Sequence, residues 1–341
     1  MARRRRVNLI KKLEERRNSR MFVYITGDRR GFETKIATDV FPFILEHLTS
    51  FGSVKQIDLF LYTPGGLTIA ASGLVSLVRE FCERFTVLIP FKAHSAGTLI
   101  ALGANSIVMS RVGQLSPVDP SITSPYNPTA PTPQPGTLGP PLPVNVEDVI
   151  GYLSLAKQEG GLSGMDALSS VFKELADKVH PLALGSVYRA REQIRMIAGQ
   201  LLRTHMGLER EQEINQIATK LARELYSHDY IIGRKEAKET LGLPIEDSPA
   251  EVDQIVWQLY KEYEDLLQLT VPYNPDVLLG EGDVTRQTFT RAVIESTLMT
   301  HAFQTIKEIK RVQITPPGAP APTIGFQERT ISDGWSKNLI I

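Results

Sequence analysis

The sequence predicts an α/β protein whose sheet is largely parallel and covered by helices. Two observations carry that reading. Short β-branched or aromatic runs alternate with segments of helical apolar spacing over the first 110 residues. Two of those runs end in small-residue turns that lead into helices, as crossover connections of a parallel sheet do. At 341 residues the chain has room for one large domain and an extension, or for two domains.

The elements follow in order. Met21-Phe22-Val23-Tyr24-Ile25-Thr26 reads as the first strand, broken by Gly27 to Gly31. Residues 36–51 carry Ile36, Val40, Phe41, Ile44 and Leu48 at helical spacing. Ile57 to Tyr62 is the second strand and ends in Thr63-Pro64-Gly65-Gly66. Leu67 to Phe81 reads as a helix with Ile69, Leu74, Leu77, Val78 and Phe81 on its apolar side. Residues 85–89 form the third strand, and Lys92-Ala93-His94-Ser95-Ala96-Gly97-Thr98-Leu99-Ile100 turns from it into a helix. Ser106 to Ser110 is a short further strand.

That alternation stops at Ser116-Pro117-Val118-Asp119-Pro120. Residues 120–144 are crowded with proline, which excludes helix and central strand and predicts a long loop, either a lid or a disordered segment. Helices are expected at 146–158, 166–179, 183–206 and 209–225, a short one at 235–240, and another from Ser248 to about Leu267. The last 70 residues or so alternate in part and predict strands or hairpins. The expected organisation is therefore a basic N-terminal arm (1–20), a catalytic domain (21–245) and a C-terminal extension (246–341).

Composition narrows the function classes. No apolar run reaches the roughly 18–20 residues of a membrane span, and no secretory signal opens the chain. The single cysteine, Cys82, excludes an internal disulfide and a multi-cysteine zinc site. Both point to a reducing, cytoplasmic compartment. The net charge of zero hides an asymmetry: residues 1–20 hold nine Lys/Arg and two Glu, a net +7, and the remainder is −7. The arm is expected to be a solvated, partly helical tail, or to touch a neighbouring subunit or an anionic membrane surface at the inner face. No specific nucleic-acid partner is expected.

The chemistry centres on Ser95. A serine at a strand-to-helix bend, flanked by small residues, can hold a nucleophile beside helix-terminal N–H groups. Taken alone, a serine at a helix start is more often a cap than a nucleophile. The Gly65-Gly66 turn can present backbone N–H groups with no side chain in the way, and with the Ala96 N–H it would form an oxyanion hole. The base is open. His94 is adjacent, and neighbouring side chains at a sharp bend point apart. His180 and His228 are alternatives. So is Lys157, on a segment whose Ile150, Tyr152, Leu153 and Leu155 predict substantial burial. A lysine serves as base only where burial or a nearby cation lowers its pKa.

The motifs Thr63-Pro64-Gly65-Gly66, Ala93-His94-Ser95-Ala96-Gly97-Thr98-Leu99-Ile100-Ala101-Leu102-Gly103-Ala104 and Leu115-Ser116-Pro117-Val118-Asp119-Pro120 together resemble the serine dehydrogenase proteinase family. That family lies within the Clp-protease/crotonase superfamily and is related to signal peptide peptidase A. The resemblance spans roughly residues 20–245. It implies a Clp protease/crotonase-like spiral ββα fold, homo-oligomerisation, and serine peptidase chemistry on a polypeptide with neither metal nor cofactor. Ser95 falls on the family nucleophile, and Gly65, Gly66 and Ala96 on the oxyanion hole. Where the Clp proteolytic subunit has its histidine, this chain has Leu115 to Pro120 and no histidine. Ile150 to Gln158 is similar to the lysine-bearing helix of the signal peptide peptidase A relatives, which makes Lys157 the preferred base. Two readings from other classes stand beside this one: a silent oligomeric scaffold or membrane-docking module of the same fold, and acyl-CoA chemistry on the crotonase version of it.

Overall fold

The computed structural model describes residues 2–118, 121–122, 125–132, 139–142, 144–221, 230–314 and 323–337. The chain divides into two compact units, one of Met1–Leu115 with Gly233–Ile341, the other of Ser116–Ile232.

The first unit is built on a seven-stranded sheet. Its parallel half comprises β1 (Arg20–Thr26), β2 (Val54–Tyr62), β3 (Cys82–Ile89) and β4 (Ser106–Met109), side by side in chain order. The expected strand–helix alternation is present: α2 (Phe41–Phe51), α3 (Thr68–Arg79) and α4 (Ala96–Leu102) connect these strands. The C-terminal residues give a helix and then strands, as the sequence suggests. They do more than extend the domain, because β5 (Val284–Ser296) pairs antiparallel with β1. β6 (Thr300–Ile314) and β7 (Thr323–Lys337) continue the sheet outward. The protein is thus an α/β fold whose sheet has the expected parallel, helix-connected half and, beside it, an antiparallel wing.

β1 is buried on both faces, so both faces need a helix layer. Met21, Val23 and Ile25 share one face with Phe60 and Tyr62 of β2, packing under α1 (Ala2–Arg17) and α10 (Ala250–Leu267). Phe22 and Tyr24 point the other way by strand alternation, toward the layer of α2 and α3.

The N-terminal arm departs from the solvated tail expected of it. It is helix α1, with Arg6, Ile10 and Leu13 fully buried. Its buried stripe at 6, 10, 13 and 17 has helical spacing, but arginines hold two of the four positions and conceal it from a hydropathy pattern. Each is neutralised where it lands. Arg6 Nε donates to Glu295 at 2.7 Å, and Tyr263 donates to the same carboxylate at 2.6 Å. Arg17 donates to Asp58 at 2.5 Å and to Glu246 at 3.0 Å.

The second unit is mainly helical: α5 (Val146–Ser154), a π-helical turn Leu155–Glu159, α6 (Met165–Lys178), α7 (Pro181–Arg203) and α8 (Glu211–Thr219). The Pro-rich loop lies partly outside the described residues. Its described parts pair locally, Ser121–Ile122 with Val144–Asn145, and Thr129 with Pro141. The short helix expected near 235–240 is α9 (Arg234–Glu239) and belongs to the first unit.

Candidate active site

Parallel strands end at a common edge, and in open α/β sheets ligand sites form at the carboxyl ends of such strands. β1, β2 and β3 end at Thr26, Tyr62 and Ile89. The turns that follow β2 and β3 are stitched together: the Thr63 N–H donates to Lys92 O at 2.9 Å, and the His94 N–H to Thr63 O at 3.1 Å. The two turns therefore lie side by side, as the sequence led us to expect.

Ser95 is the residue between that pairing and α4. Its backbone has φ 50° and ψ −107°, one of three positive-φ non-glycine residues among those described. A side chain held in that region costs on the order of 1–3 kcal/mol and persists only where its surroundings impose it. They do so here. The Gly97 N–H donates back to His94 O at 2.8 Å, and the Leu99 N–H to Ser95 O at 3.2 Å. All seven residues of α4 are buried. Gly97 permits that depth, since a Cβ there would stand 2.6 Å from Thr63 Cγ2.

Gly65 and Gly66 lie against this bend. A Cβ on Gly65 would come within 3.0 Å of Ser95 Cβ and 3.6 Å of its Oγ. A Cβ on Gly66 would stand 2.2 Å from Ile36 O, and its φ of +156° already favours glycine. Both glycines are steric necessities. Their N–H groups differ. That of Gly65 donates to Thr63 Oγ1 at 3.0 Å, so it is committed inside the protein. Among the described residues, no protein acceptor takes the N–H of Gly66 or of Ala96.

Three groups at this edge carried no role in the sequence reading. Lys92 Nζ and the Tyr62 hydroxyl both donate to Asp28, each at 2.7 Å. Burial, and then the Asp28 carboxylate, push the Tyr62 phenol well above its usual range, so it keeps the proton it donates to Asp28. Lys92 is thereby ion-paired with Asp28. The signal for this cluster is weak in a sequence, because Asp28, Tyr62 and Lys92 come from three separate strand ends.

The proposed bases are placed differently. Lys157 belongs to the second unit, on the π-helical turn after α5, and is exposed. The burial expected of this segment is absent: Leu155 is 59% and Tyr152 37% exposed. Ile150 and Leu153 instead line an open apolar groove of about 540 Å³ with Phe172, Leu184 and Tyr188. His180 caps the N-terminus of α7, its Nδ1 accepting from the Leu182 N–H at 3.2 Å, and its ring stacks on Tyr126. His228 lies outside the described residues. Among the described residues, no cluster of three metal-ligating side chains occurs.

A strained serine at a strand-to-helix bend, beside a glycine turn with an uncommitted N–H, defines a candidate acyl-transfer site on an α/β scaffold. Comparison with known families agrees with that class and with the resemblance in the motifs. Residues 1–131 match the family described as ClpP-like SDH-type serine proteinase, which supports a serine peptidase. The chain is 28% identical over 265 residues to uncharacterized protein MJ0137 of Methanocaldococcus jannaschii, covering 75% of this chain and 79% of that protein. It is 32% identical over 126 residues to uncharacterized protein MJ1495 of the same organism, covering 35% of this chain and 42% of that protein. Among solved structures it is similar to a serine-to-alanine mutant of the 1510-N membrane-bound stomatin-specific protease. The TM-score is 0.36 at 13% identity, covering 72% of this chain and 85% of that one. A lysine-to-alanine mutant of the same protease, in complex with a substrate peptide, gives a TM-score of 0.35 at 14% identity, covering 68% of this chain and 78% of that one. Among the described residues, no helix is long and apolar enough to cross a membrane.

Proposed function

We propose that the protein is a serine endopeptidase in which Ser95 is the nucleophile. The observation that carries the reading is the positive-φ bend at Ser95, imposed by a fully buried α4 and set against Gly65. In the proposed reaction Ser95 Oγ attacks the scissile carbonyl, and its proton passes to a neutral base. The carbonyl oxygen, now negative, takes hydrogen bonds from the N–H groups of Gly66 and Ala96. The tetrahedral intermediate collapses with a proton delivered to the leaving amine. Water then attacks the acyl-serine ester and frees the second product. Neither metal nor cofactor enters this sequence of steps.

Lys157 is the proposed base. Because Lys157 is exposed, this role requires that a bound polypeptide cover the helix and strip the lysine of its water. Cleavage of an unfolded polypeptide by wild type, Ser95→Ala and Lys157→Ala tests both assignments. Ser95→Ala is expected to lose on the order of 10³-fold or more in kcat, as removal of a nucleophile does. Equal cleavage by all three would end the assignment of the activity to Ser95 and Lys157. Loss in Ser95→Ala with full activity in Lys157→Ala would transfer the base elsewhere.

The free face of α1 supports a second element of this reading. Arg4, Arg5, Lys11 and Lys12 are exposed and have no ion-pair partner among the described residues. They suit an anionic membrane surface. Sedimentation with anionic but not neutral vesicles, abolished when all four become Ser, is the expected result. Equal sedimentation of the fourfold variant would refute it.

A further inference from the structure

The peptide between Gly65 and Gly66 is held from its carbonyl side. Gly65 O accepts the Ile36 N–H at 2.8 Å and the Thr63 hydroxyl at 3.2 Å. In a trans peptide the C=O and the next N–H point in opposite directions within one plane. Fixing the Gly65 carbonyl therefore fixes the direction of the Gly66 N–H, the donor assigned above to the oxyanion.

Thr63 is itself fixed. Its Oγ1 donates to Gly65 O, accepts the Gly65 N–H at 3.0 Å, and accepts the Thr26 hydroxyl at 2.7 Å. One donor and two lone pairs are the full capacity of a hydroxyl. Thr63 is completely buried and Thr26 nearly so, so water does not compete for these bonds. Thr63 Cγ2 fills the space left by the absent side chain of Gly97, at the start of α4. One side chain thus contacts both halves of the site, the glycine turn through its hydroxyl and the nucleophile's helix through its methyl.

We propose that Thr63, seated by Thr26, is a positioning residue that aims the Gly66 N–H at the developing oxyanion. The proposal rests on the reading of Ser95 as nucleophile and Gly66 as an oxyanion donor. Thr63→Val keeps the shape and the methyl against Gly97 but removes the hydroxyl. It releases the Gly65 carbonyl to its single bond with Ile36 and strands the Gly65 N–H. Because the oxyanion exists only after attack, the loss falls on the transition state and not on substrate binding.

The test measures kcat and KM on a peptide that wild type cleaves, together with inhibition by an aldehyde analogue of that peptide, which forms a tetrahedral adduct. Thr63→Val is expected to lower kcat by about 10²-fold, the low end for loss of an oxyanion-hole donor, with KM within about twofold. The aldehyde's inhibition constant should rise in parallel, and Thr63→Ser should restore most of both. Thr26→Val leaves the Thr63 hydroxyl in place and is expected to lower kcat several-fold with KM unchanged. It serves as the probe if Thr63→Val does not fold. Unchanged kcat in a folded Thr63→Val or in Thr26→Val would overturn the assignment, as would a loss expressed in KM. An inactive Ser95→Ala beside a fully active Thr63→Val would remove this inference and leave the peptidase reading standing. An active Ser95→Ala would remove both.

Discussion

Around Ser95 all seven residues of the following helix are buried, and the two flanking turns are joined by backbone hydrogen bonds. Around Lys157 no described residue of α5, of the π-helical turn or of α6 is buried, and the apolar side chains line an open groove. The two halves of the proposed dyad thus differ in kind. The serine half carries its own framework and holds a strained residue without help from a ligand. The lysine half offers apolar surface that the described residues of its own unit leave open. An oxyanion site must be preorganised to act on a charge that appears only in the transition state. A base that must be desolvated can instead be completed by the substrate that desolvates it.

Glycine substitutions break the comparison most sharply. Gly66→Ala forces a methyl into the Ile36 backbone, and activity is expected to fall on the order of 10³-fold with a measurable loss of stability. Gly151→Ala, in α5, meets nothing within 4 Å. It should raise stability by about 0.5–1 kcal/mol, because alanine favours helix. Peptidase assays and denaturant melts of the two variants check both signs. A tolerated Gly66→Ala would deny the rigidity of the serine half.

Apolar truncations come next in size. Leu99→Ala, in α4, is expected to cost about 2–5 kcal/mol, since Leu99 is fully buried and the site cannot collapse. Phe172→Ala removes a larger side chain, yet Phe172 is 54% exposed and the cost should stay near 0.5 kcal/mol. Chemical denaturation measures the difference. A large loss at Phe172 in the isolated chain would mean that the groove is already covered, for instance by a second copy.

The same difference explains what could be read before the fold was known. The serine half was legible because its constraints are local. Pro-Gly-Gly after a strand and small residues around Ser95 each admit few conformations, and their spacing along the chain matches adjacent strands. β1 to β4 were legible for the same reason. What failed was inference from apolar content alone. Ile150, Leu153 and Leu155 look like a buried stripe, but burial depends on a partner surface that a sequence does not display. Conversely, α1 looked like a solvated tail because its buried face is half arginine, and the carboxylates that neutralise it, Asp58, Glu246 and Glu295, lie 41 to 289 residues away. Asp28, Lys92 and Thr26 were missed on similar grounds, as single residues from separate strand ends.

A further expected effect is one of pH, and it separates framework from base. His47 is fully buried, with Nδ1 2.9 Å from Ser296 Oγ and Nε2 3.2 Å from His301 Nδ1. Burial, then repulsion from His301 and Lys337, lowers its pKa to about 3. The folded state therefore holds His47 neutral, while the unfolded chain takes up a proton near pH 6.5. Between those values the unfolded state binds more protons, so the contribution is intact above about pH 6.5. It is lost as pH falls toward 3, at up to about 1.4 kcal/mol per pH unit for one proton. Denaturant midpoints at pH 6.5, 5.5 and 4.5 should fall steadily in wild type. His47→Gln should flatten that slope, with the residue of it carried by His301, whose pKa burial also lowers. Equal slopes would mean that His47 is hydrated in the native state. The result bears on the dyad, because a base that must be neutral also loses activity in acid, but without unfolding. Activity in His47→Gln, followed through the same pH range, isolates that loss: what persists belongs to the base, and what disappears belonged to the framework that holds Ser95.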